Sequence, residues 1–432
     1  MIIDGSVTSD KTKLLVDKFV QLLNNGVDAS KILVLVQNSN LKNNFINKTL
    51  ENLTINAYEK LQVYSFSSLV YNAINDNWAF LENKNPYPNP KILPNLTGLE
   101  VSQFILKNIL KTIPFKGYNS KKSLLHQLFR RYSLIVQNDL SEDEIELRTR
   151  ILQESFDEDA HQALKKLLKE TLALRDFDYL RQMLVFKHIY QNTDYFKNIE
   201  YLILDDGDEI TPACFSFLKH LRPQLKDYYI AFDSKGGSRM GYLSADKTIN
   251  NELKELFNEP TITIDTTTKL KFDAQNLYKN IVENSKENLE NFTLQSPSRR
   301  SKMIELGCNK INELIKDNIS PSSIAIITPI IDDMLKFSLK ENISGNVNFV
   351  YLSGSEKLIQ NSFVLSAITI LKLNTNLRDK LTSFDIRPIL TETLQIPIKY
   401  CREILDTFDK TKNLIPYEFE NDSYTQRYSS LL

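Results

Sequence analysis

The stretch GSVTSDKT at residues 5–12 constrains the fold more than any other part of the chain. It follows a short apolar segment, Ile2–Ile3, and leads into residues 11–24, whose apolar positions recur at helical spacing. The stretch matches the phosphate-binding pattern G-x-x-x-x-G-K-[ST] except that Asp10 replaces the second glycine. The sequence therefore predicts a strand, a phosphate-binding loop and a helix in succession.

The residues of this loop have separate chemical roles in the predicted site. A glycine such as Gly5 lets backbone N–H groups curl around phosphate oxygens, while Lys11 reaches the terminal phosphates and Thr12 binds Mg²⁺. Ser9 and Asp10 complete the predicted nucleotide-binding set. Because the carboxylate of Asp10 repels phosphate, we expect nucleotide binding to be weakened. On this short motif alone, an ordinary surface loop is an open alternative.

The bulk composition is that of a globular protein of two to four domains, with 432 residues, 42% hydrophobic and 25% charged. The formal net charge of −1 gives no general attraction to nucleic acid, so any such partner needs a local patch. The three cysteines and four histidines show neither disulfide nor zinc-site spacing. No signal peptide and no apolar run of roughly 18 residues is present. We therefore expect a cytoplasmic protein without a membrane partner.

Two further apolar runs end in acids. Residues 199–204 are followed by Asp205 and Asp206, and residues 228–232 are followed by Asp233. Ligands of open α/β sheets bind at the carboxyl ends of the strands, where a Mg²⁺ ligand and a water-activating base are needed. We therefore predict that Asp205 and Asp206 are catalytic, that Asp205 shares a metal ion with Thr12, and that Asp233 belongs to the nucleotide site.

The pattern of apolar residues also predicts the domain layout. In residues 1–75 and 196–245, apolar runs typical of strands alternate with segments whose apolar residues recur at helical spacing. In residues 76–195, helical spacing dominates. The run at 323–328 predicts a strand of a second α/β unit. The predicted parts are an α/β domain at 1–75 plus 196–245, an inserted helical domain at 76–195, a connector at 246–294, a partial second α/β domain at 295–375 and a helical segment at 376–432.

The order of these elements resembles the UvrD/Rep-type superfamily 1 DNA helicases, and more closely the helicase-like half of AddB-type recombination subunits. The loop at 5–12 stands first, and the remaining similar segments are ILVLVQNSNLKNNF within 31–45, QVYSFSSL at 62–69, LILDDGDEITPACFSFLKHL at 202–221, AFDSKGGSRMGYLSAD at 231–246 and SSIAIITP at 322–329. The resemblance covers nearly the whole chain, although each motif departs from the family pattern.

The resemblance implies an α/β P-loop NTPase (RecA-like) parallel sheet with an inserted helical domain and part of a second RecA-like domain. It also implies ATP and Mg²⁺ as cofactors, translocation on single-stranded DNA in repair or recombination, and a partner subunit in a helicase–nuclease complex. The residues at 376–432 would then begin a further inserted domain of the family, and the closing motifs of the second motor domain would follow Leu432. We therefore expect the chain to be part of a longer protein.

Departures from the family motifs bear on activity. Asp10 replaces a glycine, Asp206 stands where the family has a longer glutamate, and Gly236 or Gly237 stands where it has a phosphate-sensing glutamine. No arginine matches the family's fingers, which typically contribute about 10³ to 10⁵ in rate. We expect an impaired ATPase, with a catalytically inactive scaffold as the alternative. An unrelated P-loop kinase or switch protein is a further alternative. It would explain residues 5–12 and Asp205, but not the similar segments at 62–69 and 231–246.

Two segments are candidates for binding DNA. Residues 111–131 contain six lysines and arginines and no acid, interleaved with aromatic residues, a composition that suits sequence-tolerant binding of single strands. Within the two segments, the predicted contacts are Lys121, Lys122, Arg130, Arg131, Phe66 and Ser67. The alternatives are a basic helix surface above buried aromatic residues and, for Phe66, a place in the core.

Overall fold

The computed structural model describes residues 1–6, 9–54, 60–81, 92–113, 121–141, 143–145, 147, 157–236, 248–264, 270–345, 347–351, 358 and 361–432. The chain divides into two compact units, Met1–Phe292 and Thr293–Leu432. Each unit has hydrophobic clusters of its own. Among the described residues, the helices are too short or too polar to cross a membrane.

The strands of the first unit are β1 (Ile2–Gly5), β2 (Ile32–Val36), β3 (Val63–Ser65), β4 (Asn95–Leu96), β5 (Asp176–Phe177), β6 (Tyr201–Leu204), β7 (Asp227–Phe232) and β8 (Thr261–Ile264). Six of them form one parallel sheet in the order β3-β2-β6-β7-β1-β8, and β4 pairs with β5. The strands predicted before Asp205 and Asp233 therefore share a sheet with the strand before the 5–12 loop. The α/β class is confirmed, and the sheet is compatible with a RecA-like domain.

The sheet is buried on both faces, which is why its strands read as continuous apolar runs. Neighbouring residues point to opposite sides: Ile2 and Leu33 belong to one hydrophobic cluster, whereas Ile3 and Val34 belong to another. All five residues of β2 are buried. Helices must therefore cover both faces.

The helices of the first unit are α1 (Lys11–Asn24), α2 (Ser39–Asn52), α3 (Phe66–Asn77), α4 (Leu99–Ile109), α5 (Lys121–Gln137), α6 (Asp157–Leu174), α7 (Tyr179–Asn192), α8 (Pro212–Leu221), α9 (Ile249–Phe257) and α10 (Leu270–Val282). Helices α1 and α2 pack on one face of the sheet, and α3, α7, α8 and α9 contribute to the cluster on the other. Between β3 and β6, helices α4 to α7 build a further core around Leu106, Leu128 and Leu167.

Part of the predicted connector belongs to the sheet. Residues Thr261–Ile264 form β8 and pair in parallel with β1, while Leu253 and Phe257 of α9 are buried in the core. The sequence TITI is hard to recognise as a strand because β8 lies at the edge of the sheet, where Ile262 and Thr263 are exposed. Alternation over only four residues is at the lower limit of what indicates a strand.

The second unit is helical over its described residues. Its helices are α11 (Arg300–Lys316), α12 (Asp333–Asn342), α13 (Ser362–Leu373), α14 (Ser383–Pro388), α15 (Ile398–Thr411) and α16 (Asp422–Ser429). A π-helical turn, Ile389–Thr393, follows Pro388. One cluster joins α11 and α12, and a second joins α13 to α16 around Ile386, Ile389 and Phe408.

The strand predicted at 323–328 is wrong. A short 3₁₀ turn, Pro321–Ser323, is followed by residues 324–328, which form neither a helix nor a strand, and Ile327 is 97% exposed. A strand needs a hydrogen-bonded neighbour, and the described residues of this unit supply none. A partial second RecA-like sheet is therefore not formed by the described residues.

Candidate functional site

Helix α1 begins at Lys11, so the last two residues of the predicted phosphate-binding loop, Lys11 and Thr12, form its first turn. Asp10 precedes it with φ −79° and ψ 23°, and among the described residues its side chain makes no capping hydrogen bond. The N–H groups of a first helical turn have no intrahelical partner, and the helix dipole adds positive charge there. The start of α1 therefore offers donors to an anion. Val7 and Thr8 lie outside the described residues.

Gly5 and Ser9 set the shape of the described part of the loop. The hydroxyl of Ser9 donates to the carbonyl oxygen of Ser6 at 2.7 Å, and the Ser9 N–H donates to the same oxygen at 2.9 Å. A Cβ at Gly5 would collide with the Oγ of Ser9. A larger residue at position 5 would therefore require the Ser9 side chain to move.

Thr12 and Asp205 are 193 residues apart in the chain, yet they are in direct contact. The Thr12 hydroxyl donates to Oδ2 of Asp205 at 2.8 Å. Asp205 directly follows β6 and is only 3% exposed. Burial, and next the charge of Asp206, raises the pKa of Asp205 to about 6, although the hydrogen bond from Thr12 and the charge of Lys11 act in the opposite direction.

Lys11 and Asp206 form the second contact between α1 and the end of β6. Nζ of Lys11 lies 3.2 Å from Oδ1 of Asp206. Lys11 is 4% exposed, whereas the side chain of Asp206 is 26% exposed. Burying an ammonium group without a counterion is costly, so this ion pair stabilises Lys11 in its buried position. We call Lys11, Thr12, Asp205 and Asp206 the α1–β6 corner.

Asp233 lies at the same edge, directly after β7, the strand between β1 and β6. Its N–H donates to Oδ1 of Asp208 at 2.9 Å, and its Oδ1 accepts from the N–H of Lys235 at 2.9 Å. Burial raises the pKa of the Asp233 carboxyl, and the charge of Lys11 lowers it. A Cβ at Gly236 would collide with Oδ2 of Asp208. The turn 233–236 is therefore held against the carboxylate of Asp208.

The donor atoms of Thr12 and Asp205 fit Mg²⁺ as the predicted metal. Mg²⁺ prefers oxygen ligands and is usually held by one or two carboxylates together with waters and substrate phosphates. Among the described residues, no group of three or more His, Cys, Asp or Glu side chains could hold a metal ion by itself. The Thr12 hydroxyl and the Asp205 carboxylate are oxygen ligands of the kind that Mg²⁺ takes.

Three residues at this edge escaped the sequence prediction. Nε2 of Gln37 donates to the carbonyl oxygen of Asp206 at 3.3 Å, and Oδ1 of Asp4 accepts from the N–H of Ser234 at 2.9 Å. The third is Asp208, which holds the 233–236 turn. Gln37 directly follows β2 and Asp4 lies near the end of β1. The edge rule applied to Asp205 and Asp233 could have found both.

Phe66 and Ser67, which are adjacent in the chain and were both predicted to contact DNA, differ in their exposure. Phe66 is half-buried, and its ring centroid lies 5.6 Å from that of Phe186 and 6.4 Å from that of Phe217. These aromatic contacts favour the alternative of a core residue for Phe66. Ser67, at the start of α3, is exposed.

Helix α5 carries the described part of the basic segment. Arg130 is exposed and Arg131 is half-buried. Phe129 and Tyr132 are buried, at 8% and 4% exposure, and pack edge to face in the helical core. Neither ring is available for stacking on a base. Lys121 and Lys122 begin α5, but their side chains, and all of 114–120, lie outside the described residues.

No protein family matches the chain, and no curated protein is similar to it in sequence.

Proposed function

We propose that the chain binds Mg²⁺-ATP at the α1–β6 corner. The observation that carries this proposal is a pair of contacts between the predicted phosphate-binding loop and the predicted acidic strand. Thr12 contacts Asp205 at 2.8 Å and Lys11 contacts Asp206 at 3.2 Å. The loop residues and the two acids were predicted from different features of the sequence. In the structure they meet at the carboxyl edge of one parallel sheet, where ligands of such sheets bind.

Each residue of the corner has a role in this proposal. The first N–H groups of α1 and the ammonium of Lys11 bind the phosphates, and Thr12 and Asp205 hold Mg²⁺. Bound Mg²⁺ would neutralise charge on the terminal phosphates. Asp206, which forms an ion pair with Lys11, is the base that would orient a water.

We further propose that the protein is a UvrD/Rep-like ATP-dependent helicase or translocase-family protein acting on single-stranded DNA in repair or recombination. The order of the similar segments supports this assignment, and the parallel sheet is compatible with it. Arg130 on α5 and Ser67 on α3 are exposed and can contact a strand. The partner would be a subunit of a helicase–nuclease complex.

One observation favours a second function, a catalytically inactive scaffold of such a complex. Asp206 has a shorter side chain than the glutamate it replaces, and its carboxylate is engaged with Lys11. A base held in this way is poorly placed to activate water. In the scaffold the corner would bind nucleotide without turnover.

Isothermal titration calorimetry with Mg²⁺-ATP tests the nucleotide proposal. We expect wild-type protein to bind and Lys11→Ala to lose binding, because the phosphates lose their buried cation. Lys13→Ala is the matched control, since Lys13 is an exposed lysine of the same helix. Equal affinity in wild type and Lys11→Ala would refute a phosphate site at residues 5–12.

A hydrolysis assay with single-stranded DNA separates the two functions. A translocase should hydrolyse ATP faster when single strands are added, because translocation couples the two activities. A scaffold should bind Mg²⁺-ATP in calorimetry and show no DNA-stimulated release of phosphate.

A further inference from the structure

The ion pair between Lys11 and Asp206 occupies the group that the proposed nucleotide site would use. Nζ of Lys11 lies 3.2 Å from Oδ1 of Asp206, and Lys11 is 4% exposed. Asp205 is also near, but Oδ2 accepts from Thr12 and Oδ1 accepts from the N–H of Asp206. Both oxygens of Asp205 are therefore engaged, and Asp206 supplies the direct counterion of the buried ammonium.

The backbone of Asp206 is fixed, while its side chain is accessible. Its φ of 53° and ψ of 50° lie in the left-handed region, which non-glycine residues rarely adopt. The carbonyl oxygen of Asp206 accepts from Gln37 at 3.3 Å and from the N–H of Glu209 at 3.0 Å. Because the side chain is 26% exposed, its carboxylate can turn toward water without a change in the backbone.

We propose that Asp206 is an internal gate, a carboxylate that pairs with Lys11 in the nucleotide-free protein and must leave it before a phosphate can bind. This inference rests on the proposed nucleotide site. A phosphate at Lys11 would bring negative charge against Asp206, so the two anions compete for one cation. The competition lowers the affinity of every phosphate ligand that must displace Asp206 from Lys11.

Asp206→Asn separates the gate from a purely catalytic role. Asparagine tolerates the left-handed backbone and has nearly the same size. Without ligand, the variant should melt at a lower temperature than wild type, because the buried Lys11 loses its counterion. With Mg²⁺-ADP, it should bind about tenfold more tightly and show a larger ligand-induced rise in melting temperature. The two effects have opposite signs, which a simple loss of packing would not produce.

Two further variants make the test specific. Asp4→Asn removes another carboxylate of the same edge, one that accepts from Ser234 and forms no ion pair with Lys11 among the described residues. We expect it to change Mg²⁺-ADP affinity much less than Asp206→Asn. The double variant Lys11→Met, Asp206→Asn should recover the melting temperature lost in Asp206→Asn, because it removes the unpaired buried charge.

Calorimetry with Mg²⁺-ADP, together with thermal melting, decides the proposal. Unchanged or weaker binding by Asp206→Asn, with Lys11→Ala still losing binding, would overturn the gate and leave the nucleotide site standing. An equal gain in Asp4→Asn would also overturn it, since general repulsion would then explain the effect. Equal binding by wild type and Lys11→Ala would instead refute the nucleotide site itself.

Discussion

The α1–β6 corner and the Arg130–Arg131 pair on α5 are both predicted to contact phosphate groups, but they are built in different ways. The corner gathers residues from two distant parts of the chain into contacts of 2.8 Å and 3.2 Å. On α5, Arg130 and Arg131 are neighbours in sequence, and the aromatic residues beside them are buried in the helical core.

The difference shows which kind of sequence signal carries information about a site. Runs of cations arise often on solvated helix surfaces, and nearby aromatic residues are commonly there to fill a core. Residues that are far apart in sequence converge only if the fold brings them together. We therefore expect changes in the corner to have larger and more specific effects than changes on α5.

After the loss of binding expected for Lys11→Ala, the largest effect is expected from the proposed magnesium ligand. Asp205→Asn should weaken Mg²⁺-ATP binding by about 10- to 100-fold, because the ion loses a charged ligand. The pKa of Asp205 is raised to about 6, so protonation competes with Mg²⁺ below that pH. Wild-type affinity should fall about tenfold per pH unit below about 6 and level off above it.

The variant also serves as the control for this pH dependence. Phosphate groups of the nucleotide titrate in the same range, and Asp205→Asn retains only that contribution. Calorimetry at several pH values gives the difference between the two proteins. Parallel pH profiles would contradict a role for Asp205 in holding the metal.

The second prediction concerns the turn beside the corner. Gly236→Ala should destabilise the first unit by about 1 to 3 kcal/mol, because the new methyl group overlaps the buried carboxylate of Asp208. Gly307→Ala is the matched control, since a Cβ there meets nothing within 4 Å and lies in helix α11. Denaturant unfolding compares the two variants, and equal stability would mean that the turn yields easily.

The third prediction concerns α5, where we expect smaller effects than at the α1–β6 corner. Replacing Arg130 and Arg131 by alanine should weaken binding of a single-stranded oligonucleotide and reduce its salt slope by about 1 to 1.5. The control replaces the exposed lysines Lys48 and Lys197, which lie on other elements. If fluorescence anisotropy gives the same slope for all three proteins, α5 is an ordinary solvated surface.

The smallest effect is expected from Asp10. The sequence alone predicts about a tenfold gain in Mg²⁺-ATP affinity for Asp10→Gly, because a charge near the phosphates is removed. In the structure Asp10 is exposed, and water screens its charge, so we expect about a threefold gain. Asp17→Asn is the control, an exposed acid further along α1. A titration showing no difference between the two variants would mean that Asp10 does not oppose phosphate.

The sequence predicts the buried strands of the sheet better than it predicts the edge strand β8 or the structure of residues 323–328. Buried strands such as β2 carry five consecutive apolar residues and are easy to recognise, whereas β8 is half polar because it lies at the sheet edge. The apolar run at 323–328 has the same appearance as β2, yet Ile327 is exposed. Strand formation depends on hydrogen-bonded neighbours, and a local pattern does not contain that information.

The candidate site is predictable for a related reason. Lys11, Thr12 and Asp205 each follow from a local rule about loops and strand ends, and the parallel sheet brings them together. The ion pair of Lys11 with Asp206 does not follow, because it depends on the left-handed backbone at Asp206. Phe66 is ambiguous from sequence, since a stacking phenylalanine and a core phenylalanine differ only in their three-dimensional neighbours.

A crystal structure of the protein with Mg²⁺ and a non-hydrolysable ATP analogue tests the central claim most directly. We predict that the terminal phosphates lie within hydrogen-bond distance of Lys11 and the first N–H groups of α1. Mg²⁺ should lie at about 2.1 Å from the Thr12 hydroxyl, with Asp205 bound to it directly or through one water. A nucleotide bound elsewhere, or a corner that keeps the Lys11–Asp206 pair at saturating ligand, would contradict the account.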